Sequence, residues 1–188
     1  MTVSLIQLWL PIVLGGTFAW IASALIHMLL KYHNSDFKGL SNEDDVMEAV
    51  RAGSPKTGLY NFPHCAMSEM QDKAVQEKFN RGPVGFVTVF PNGLPNMPKL
   101  MGQQIGFFVV SCLLVAYCAT LALAPGAEYM TVFRFVGTVG FLTFGWGIIP
   151  YSIWYGHPWS TTGKYLLDAF IYGLVAAGTF AWLWPAAA

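Results

Sequence analysis

Four long apolar runs, at roughly residues 5–30, 105–124, 130–154 and 165–184, decide what this chain can fold into. Each reaches the ~20 residues that an α-helix needs to cross ~30 Å of hydrocarbon. In lipid the backbone must satisfy its own N–H and C=O groups, and runs of this length do so as helices. Only 11% of the residues are charged, against about 25% in a soluble domain. The expected fold class is therefore an all-α membrane protein, a four-helix transmembrane bundle. Residues 1–31 form its first helix, 32–103 an insertion, and 104–188 helices two to four.

The charges set an expected orientation. Lys31, Lys38, Arg51, Lys56, Lys73, Lys78, Arg81 and Lys99 fall between the first two runs, Lys164 falls between the last two, and Arg134 alone falls on the far side. By the positive-inside rule the 31–104 loop is cytoplasmic and both termini lie outside. Net charge is zero, so the basic excess of a nucleic-acid binder is missing and no nucleic-acid partner is expected. Ala22-Ser23-Ala24 has the form of a signal-peptide cleavage site. With no basic residue ahead of it and an apolar run that continues past it, a retained helix is expected.

The insertion begins with Ser41-Asn42-Glu43-Asp44-Asp45, a cap and acidic first turn for a short helix that Gly53-Ser54-Pro55 ends. A second short helix is expected over Ser68 to Asn80, stopped by Gly82-Pro83. Residues 82–100 then combine apolar Phe86, Val87 and Phe90 with Pro91, Pro95 and Pro98. Too short to span and too Pro-rich for a helix, this stretch reads as a surface loop. It either packs on its own bundle or docks a partner through Phe86, Val87, Phe90, Pro91 and Pro95.

Small residues recur every fourth position in the apolar runs. Helix one carries Gly15, Ala19 and Ser23, and helix four carries Ala169, Gly173, Ala177 and Ala181. Such stripes let backbones approach closely, the main packing device in lipid. They predict a compact bundle, with the helix-four stripe also offered as a docking surface. Gly16-Thr17-Phe18-Ala19-Trp20 recurs as Gly178-Thr179-Phe180-Ala181-Trp182, too short for an ancestral repeat but open to similar packing.

Three ionisable groups fall within the spans: His27, Arg134 and Asp168. Such groups are functional suspects by default. His27 and Asp168 share a depth near the cytoplasmic side, as a proton-handling pair or a structural hydrogen bond. Lys164, four residues before Asp168, offers that carboxylate a simpler partner. Arg134 reads as a residue that snorkels or meets Glu128. Haem needs two inward histidines and only His27 lies in a span, so His27 is a weak cofactor candidate and no cofactor is expected beyond lipid contacts. Cys65, Cys112 and Cys118 lack disulfide or zinc spacing, and His33, His64 and His157 show no ligand spacing, so no metal is expected. No catalytic motif is present.

The second half carries Gly82-Pro83-Val84-Gly85-Phe86-Val87-Thr88-Val89, Val132-Phe133-Arg134-Phe135 and the long stretch Ser152-Ile153-Trp154-Tyr155-Gly156-His157-Pro158-Trp159-Ser160-Thr161-Thr162. In these segments it resembles a family of small uncharacterised bacterial inner-membrane proteins without an assigned activity. The resemblance implies a bacterial inner-membrane setting and supplies no mechanism. The leading expectation is a non-catalytic accessory subunit of a respiratory or photosynthetic complex, with lipids and other integral membrane subunits as partners. The alternatives are a stand-alone proton-linked or solute transporter using His27 and Asp168, and a pigment- or haem-holding subunit.

Overall fold

The computed structural model describes residues 3–187. Four helices are long and apolar enough to cross a membrane: Leu5–Leu30, Met97–Ala122, Tyr129–Trp154 and Trp159–Trp182, spans one to four. In chain order the elements are α1 (Trp9–Leu25), α2 (Glu43–Ala52), β1 (Gly58–Phe62), α3 (Lys73–Arg81), β2 (Gly85–Val89), α4 (Met97–Ala122), α5 (Tyr129–Gly145), α6 (Ile149–Trp154) and α7 (Trp159–Trp182). They form two compact units. One is the bundle: residues up to Phe37, Pro95–Ser152, and those from His157 on. The other holds Lys38–Leu94 with Ile153–Gly156. The fold is a multi-pass helical bundle, as the apolar runs require.

Local chemistry explains where the spans begin and break. A 3-10 turn, Leu5–Leu8, leads into α1. Its free end is closed reciprocally: Gln7 N donates to Ser4 Oγ at 3.4 Å and Ser4 N donates to Gln7 Oε1 at 2.9 Å. Span two starts at Met97 instead of residue 105. Asn96 Oδ1 accepts from Lys99 N at 3.1 Å, and Pro98 sits in the first turn, where its missing N–H costs nothing. The expectation that residues up to 100 stay non-helical is corrected there. Span three is interrupted by a 3-10 turn, Trp146–Ile148, between α5 and α6. Pro150 has no N–H for the Trp146 carbonyl and its ring crowds that oxygen.

Span four is the centre of the bundle. Half of its apolar window is buried inside the bundle, against 17% for span three. Ala169, Gly173, Ala177 and Ala181 are all buried. A Cβ on Gly173 would lie 3.0 Å from both Gly137 O and Phe141 N, and one on Gly140 would lie 3.2 Å from Gly173 Cα. Backbone thus rests on backbone between α5 and α7, so the stripe is consumed within the bundle. The expectation that it also docks a partner is corrected.

Gly15, Ala19 and Ser23 are buried on span one. A Cβ on Gly16 would fall 2.8 Å from Val109 Cα, whereas Gly178, its counterpart in the repeated pentapeptide, meets only Tyr129 OH at 3.9 Å. The two copies therefore pack differently. Between the helices, Phe108, Phe180, Val115, Val132 and Val136 are fully buried. Lipid is as apolar as these side chains, so dispersion and close fit, not exclusion of water, hold them together.

The smaller unit contains an element that the composition hid. β1 pairs antiparallel with β2, Gly58 opposite Val89, Tyr60 opposite Val87 and Phe62 opposite Gly85. Residues 85–89, expected as an irregular loop, form a strand because Val87 and Val89 alternate with Phe86 and Thr88 at the period of two that a half-covered ribbon needs. Val87 and Val89 line a groove with Val46, Met47 and Val50 of α2. α3 starts at Lys73 and not at the expected Ser68, because the Asp72 carboxylate caps it by accepting from Ala74 N at 2.9 Å; its last turn holds Lys78 and Arg81. That polarity suits the helix dipole.

Candidate functional site

Thr161, Tyr165, Asp168 and Tyr172 recur at helical spacing and share one face of α7, with Lys164 beside them. What meets this face is the segment that follows span one. There the helix widens into a π turn, Ile26–Leu30, and Lys31 adopts a left-handed conformation with φ 54°. Both features cost energy in a non-glycine chain and gather at functional positions. They turn the chain back, and a 3-10 turn, Tyr32–Ser35, lays Tyr32, His33 and Asp36 on the start of α7.

Asp168 is the hub. Its side chain is 4% exposed. Tyr32 OH donates to its Oδ1, and His33 Nε2 lies 2.9 Å from its Oδ2. His27 Nε2 stands 4.0 Å from the same oxygen, and the His27 and His33 rings stack in parallel with centroids 4.6 Å apart. The structure therefore brings His27 and Asp168 together, with His33 beside His27 and in closer contact with the carboxylate.

Asp36 is the second buried carboxylate. Lys164 Nζ donates to its Oδ1 at 2.5 Å, to Tyr32 O at 2.7 Å and to Ser35 Oγ at 2.8 Å. His33 Nδ1 donates to Asp36 Oδ2 at 2.6 Å, and Thr161 Oγ1 donates to Oδ1 at 3.3 Å. The expected Lys164–Asp168 pairing along the helix is corrected: Lys164 reaches across to Asp36. Burial raises the Asp36 carboxyl, but the hydrogen bonds from Lys164 and His33 outweigh it and hold the group below the usual carboxylate range. Burial and the Asp168 carboxylate push the Tyr32 phenol well above its usual range, so Tyr32 remains a donor. Among the described residues no buried side-chain nitrogen or oxygen lacks a partner, as buried charge requires.

The cluster borders a cleft of about 390 Å³ inside the bundle. Its walls are largely aromatic, Phe107, Phe108, Phe144 and Tyr172, and His27, Asp168 and Gln104 give it polar edges. A mostly apolar pocket with a few convergent polar groups is the usual form of a small-ligand site. It does not suit bis-histidine haem. The two imidazoles lie face to face at 4.6 Å, so no macrocycle fits between them.

The remaining candidates lie elsewhere. Arg134 is exposed on α5, and among the described residues no ion pair joins it to Glu128. His64 pairs with Asn61 Oδ1 at 3.1 Å, and His157 packs near Tyr151. Cys65 is half-buried next to Met70, whereas Cys112 is buried in the bundle core. Of the proposed docking residues, Phe86, Phe90, Pro91 and Pro95 are exposed and Val87 is half-buried. Sequence reasoning missed Tyr32, His33 and Asp36. Their signal was position: a Tyr-His-x-x-Asp segment directly after span one, on the same expected side as Lys164 and Asp168.

Comparison with known proteins yields no match to this chain among protein-family models, curated proteins or solved structures.

Proposed function

We propose that this chain is a non-catalytic accessory subunit of a larger bacterial inner-membrane assembly, respiratory or photosynthetic. Its termini lie outside and its 31–104 loop is cytoplasmic. The observation that carries the reading is the smaller unit. No residue from 38 to 94 is fully buried, yet Leu59 is 79%, Phe90 74% and Leu94 98% exposed.

A two-stranded ribbon alone is marginal in water; this one has α2 against one face, and on the other Phe86 packs on Tyr155 with ring centroids 5.4 Å apart. Leu59 and Phe86 point from the other face, and both strand edges present unpaired backbone groups. Lipid cannot satisfy those edges, and the unit is dense in charge from Glu43 to Arg81. A protein that adds a strand and covers the apolar face satisfies both needs. The segregated basic residues support the orientation, and the resemblance of the second half to small bacterial inner-membrane proteins supports the setting.

Extraction from native membranes in mild detergent tests the proposal. The chain should run with a stoichiometric integral-membrane partner, and the double change Leu59→Asp with Phe90→Asp should release it. A visible spectrum of the assembly reads its class. A chain that runs alone or only with itself overturns the proposal.

A second reading, proton-linked or solute transport, is favoured by the place of His27 and Asp168 on the wall of the cleft. It predicts pH-driven uptake in vesicles that His27→Ala abolishes. The accessory reading predicts normal assembly of that variant.

A further inference from the structure

We propose that His27 Nε2, His33 Nε2 and an Asp168 carboxylate oxygen bind one divalent first-row transition-metal ion at the edge of the bundle cleft. The site goes beyond the accessory-subunit reading and does not rest on it.

These three ligand atoms all lie within 4.8 Å of one another. Two imidazoles and one carboxylate make a borderline donor set, suited to zinc, cobalt, nickel or ferrous iron and poor for calcium or magnesium. The surroundings carry the argument further. His27 Nδ1 lies 3.0 Å from the Ser23 carbonyl, which can only accept. His33 Nδ1 lies 2.6 Å from Asp36 Oδ2. Each Nδ1 thus carries its proton toward an oxygen, and with an ion bound in place of the proton that now joins His33 Nε2 to Asp168, each Nε2 offers its lone pair on the Asp168 side. This tautomer is inferred from the hydrogen bonds. An outer carboxylate or carbonyl on the far nitrogen of a histidine is the usual support of a metal-bound imidazole. Asp36 is fixed in turn by Lys164, and Asp168 by Tyr32.

Bond lengths of ~2.0–2.2 Å place neighbouring ligand atoms about 3.0 Å apart in octahedral and about 3.4 Å apart in tetrahedral geometry. The His33–Asp168 distance of 2.9 Å already meets this. His27, at 4.0 Å, must close by roughly 0.6–1 Å and tilt out of the stack. It sits on the π turn with 42% of its side chain exposed, which leaves it room to do so. Three protein ligands leave the ion open positions, and two of them, His27 and Asp168, line the cleft. Binding displaces any proton that His33 Nε2 shares with Asp168, because a metal and a proton compete for that lone pair.

Cobalt(II) chloride is the probe, titrated into untagged full-length protein in detergent after chelator treatment. The expected result is one equivalent bound, with ligand-field bands of low-symmetry cobalt and a rise in unfolding temperature. His27 is 42% exposed and its loss leaves the His33–Asp36 and Lys164–Asp36 bonds in place, so His27→Ala should fold normally yet weaken cobalt binding about tenfold or more and change the spectrum. Asp36→Asn should weaken binding by a similar factor without removing a ligand. His64→Ala with His157→Ala should leave the titration unchanged. Unaltered binding in His27→Ala, binding lost only with His64 and His157, or no saturable binding by the wild type would each overturn the site.

Discussion

Lys164 and Asp36, 128 positions apart in the chain, meet at 2.5 Å and close the segment after span one onto the start of span four. The pair ties two helices that the chain visits first and last, and it frames the Asp168 cluster beside it. Its side chains differ in exposure, 3% for Asp36 and 24% for Lys164.

Lys164→Met should therefore leave a buried carboxylate without its cation. Breaking a fully buried pair costs about 3–5 kcal/mol. This pair lies at the bundle end with part of Lys164 in solvent, so about 1–2 kcal/mol is the expected loss after discounting for screening. Thermal unfolding in detergent measures it. Lys164→Met with Asp36→Leu should recover part of the loss, since the stranded charge is gone.

Acid should open the same closure. The Asp36 carboxyl in the folded chain titrates below its ordinary 3.8 because Lys164 and His33 hold it ionised. A depressed carboxylate contributes stability that is present above its unfolded value and is lost as pH falls through the folded one. With chelator present, the Asp36 contribution, read as the difference in unfolding temperature between the protein and Asp36→Asn, should hold above about pH 5 and shrink below about pH 4. Asp36→Asn should lower the plateau and flatten the fall. An unchanged acid limb in that variant would contradict the assignment.

Backbone contact between α5 and α7 gives a stability prediction with an internal control. A Cβ at Gly173 meets backbone atoms at 3.0 Å, whereas one at Gly102 meets nothing within 4 Å. Gly173→Ala should cost about 1–3 kcal/mol as an overpacked contact. Gly102→Ala in α4 should be neutral or stabilising by up to about 1 kcal/mol, the helix preference for alanine.

Orientation is open to a labelling test at Cys65, which is half-buried next to Met70, in a variant lacking Cys112 and Cys118. A membrane-impermeant thiol reagent should modify it only from the cytoplasmic side. Modification of intact cells from outside would invert the topology.

The four spans were legible because lipid leaves few solutions for long apolar runs, and the small-residue stripes announced their packing. The errors came where one residue overrode a window. Pro98 suggested loop but serves a helix start, and Pro150 broke a run that reads as continuous. The ribbon was hidden because Val87 and Val89 alternate within a stretch dominated by proline. At the site, His27 and Asp168 were visible as intramembrane polar groups at one depth. Tyr32, His33 and Asp36 were not, because a π turn and a left-handed Lys31 decide where that segment points, and neither has a compositional signature. The Lys164 pairing went wrong for a related reason: helix spacing names a local partner, and burial favoured the distant one.

The most direct test of the central claim is photo-crosslinking in intact cells from a reactive group placed at Leu59. If the exposed Leu59 face of the ribbon docks on an assembly, one integral membrane protein should be captured in stoichiometric yield, and Phe90→Asp should abolish capture. Crosslinking to lipid alone, or only to a second copy of the chain, would contradict the accessory-subunit account.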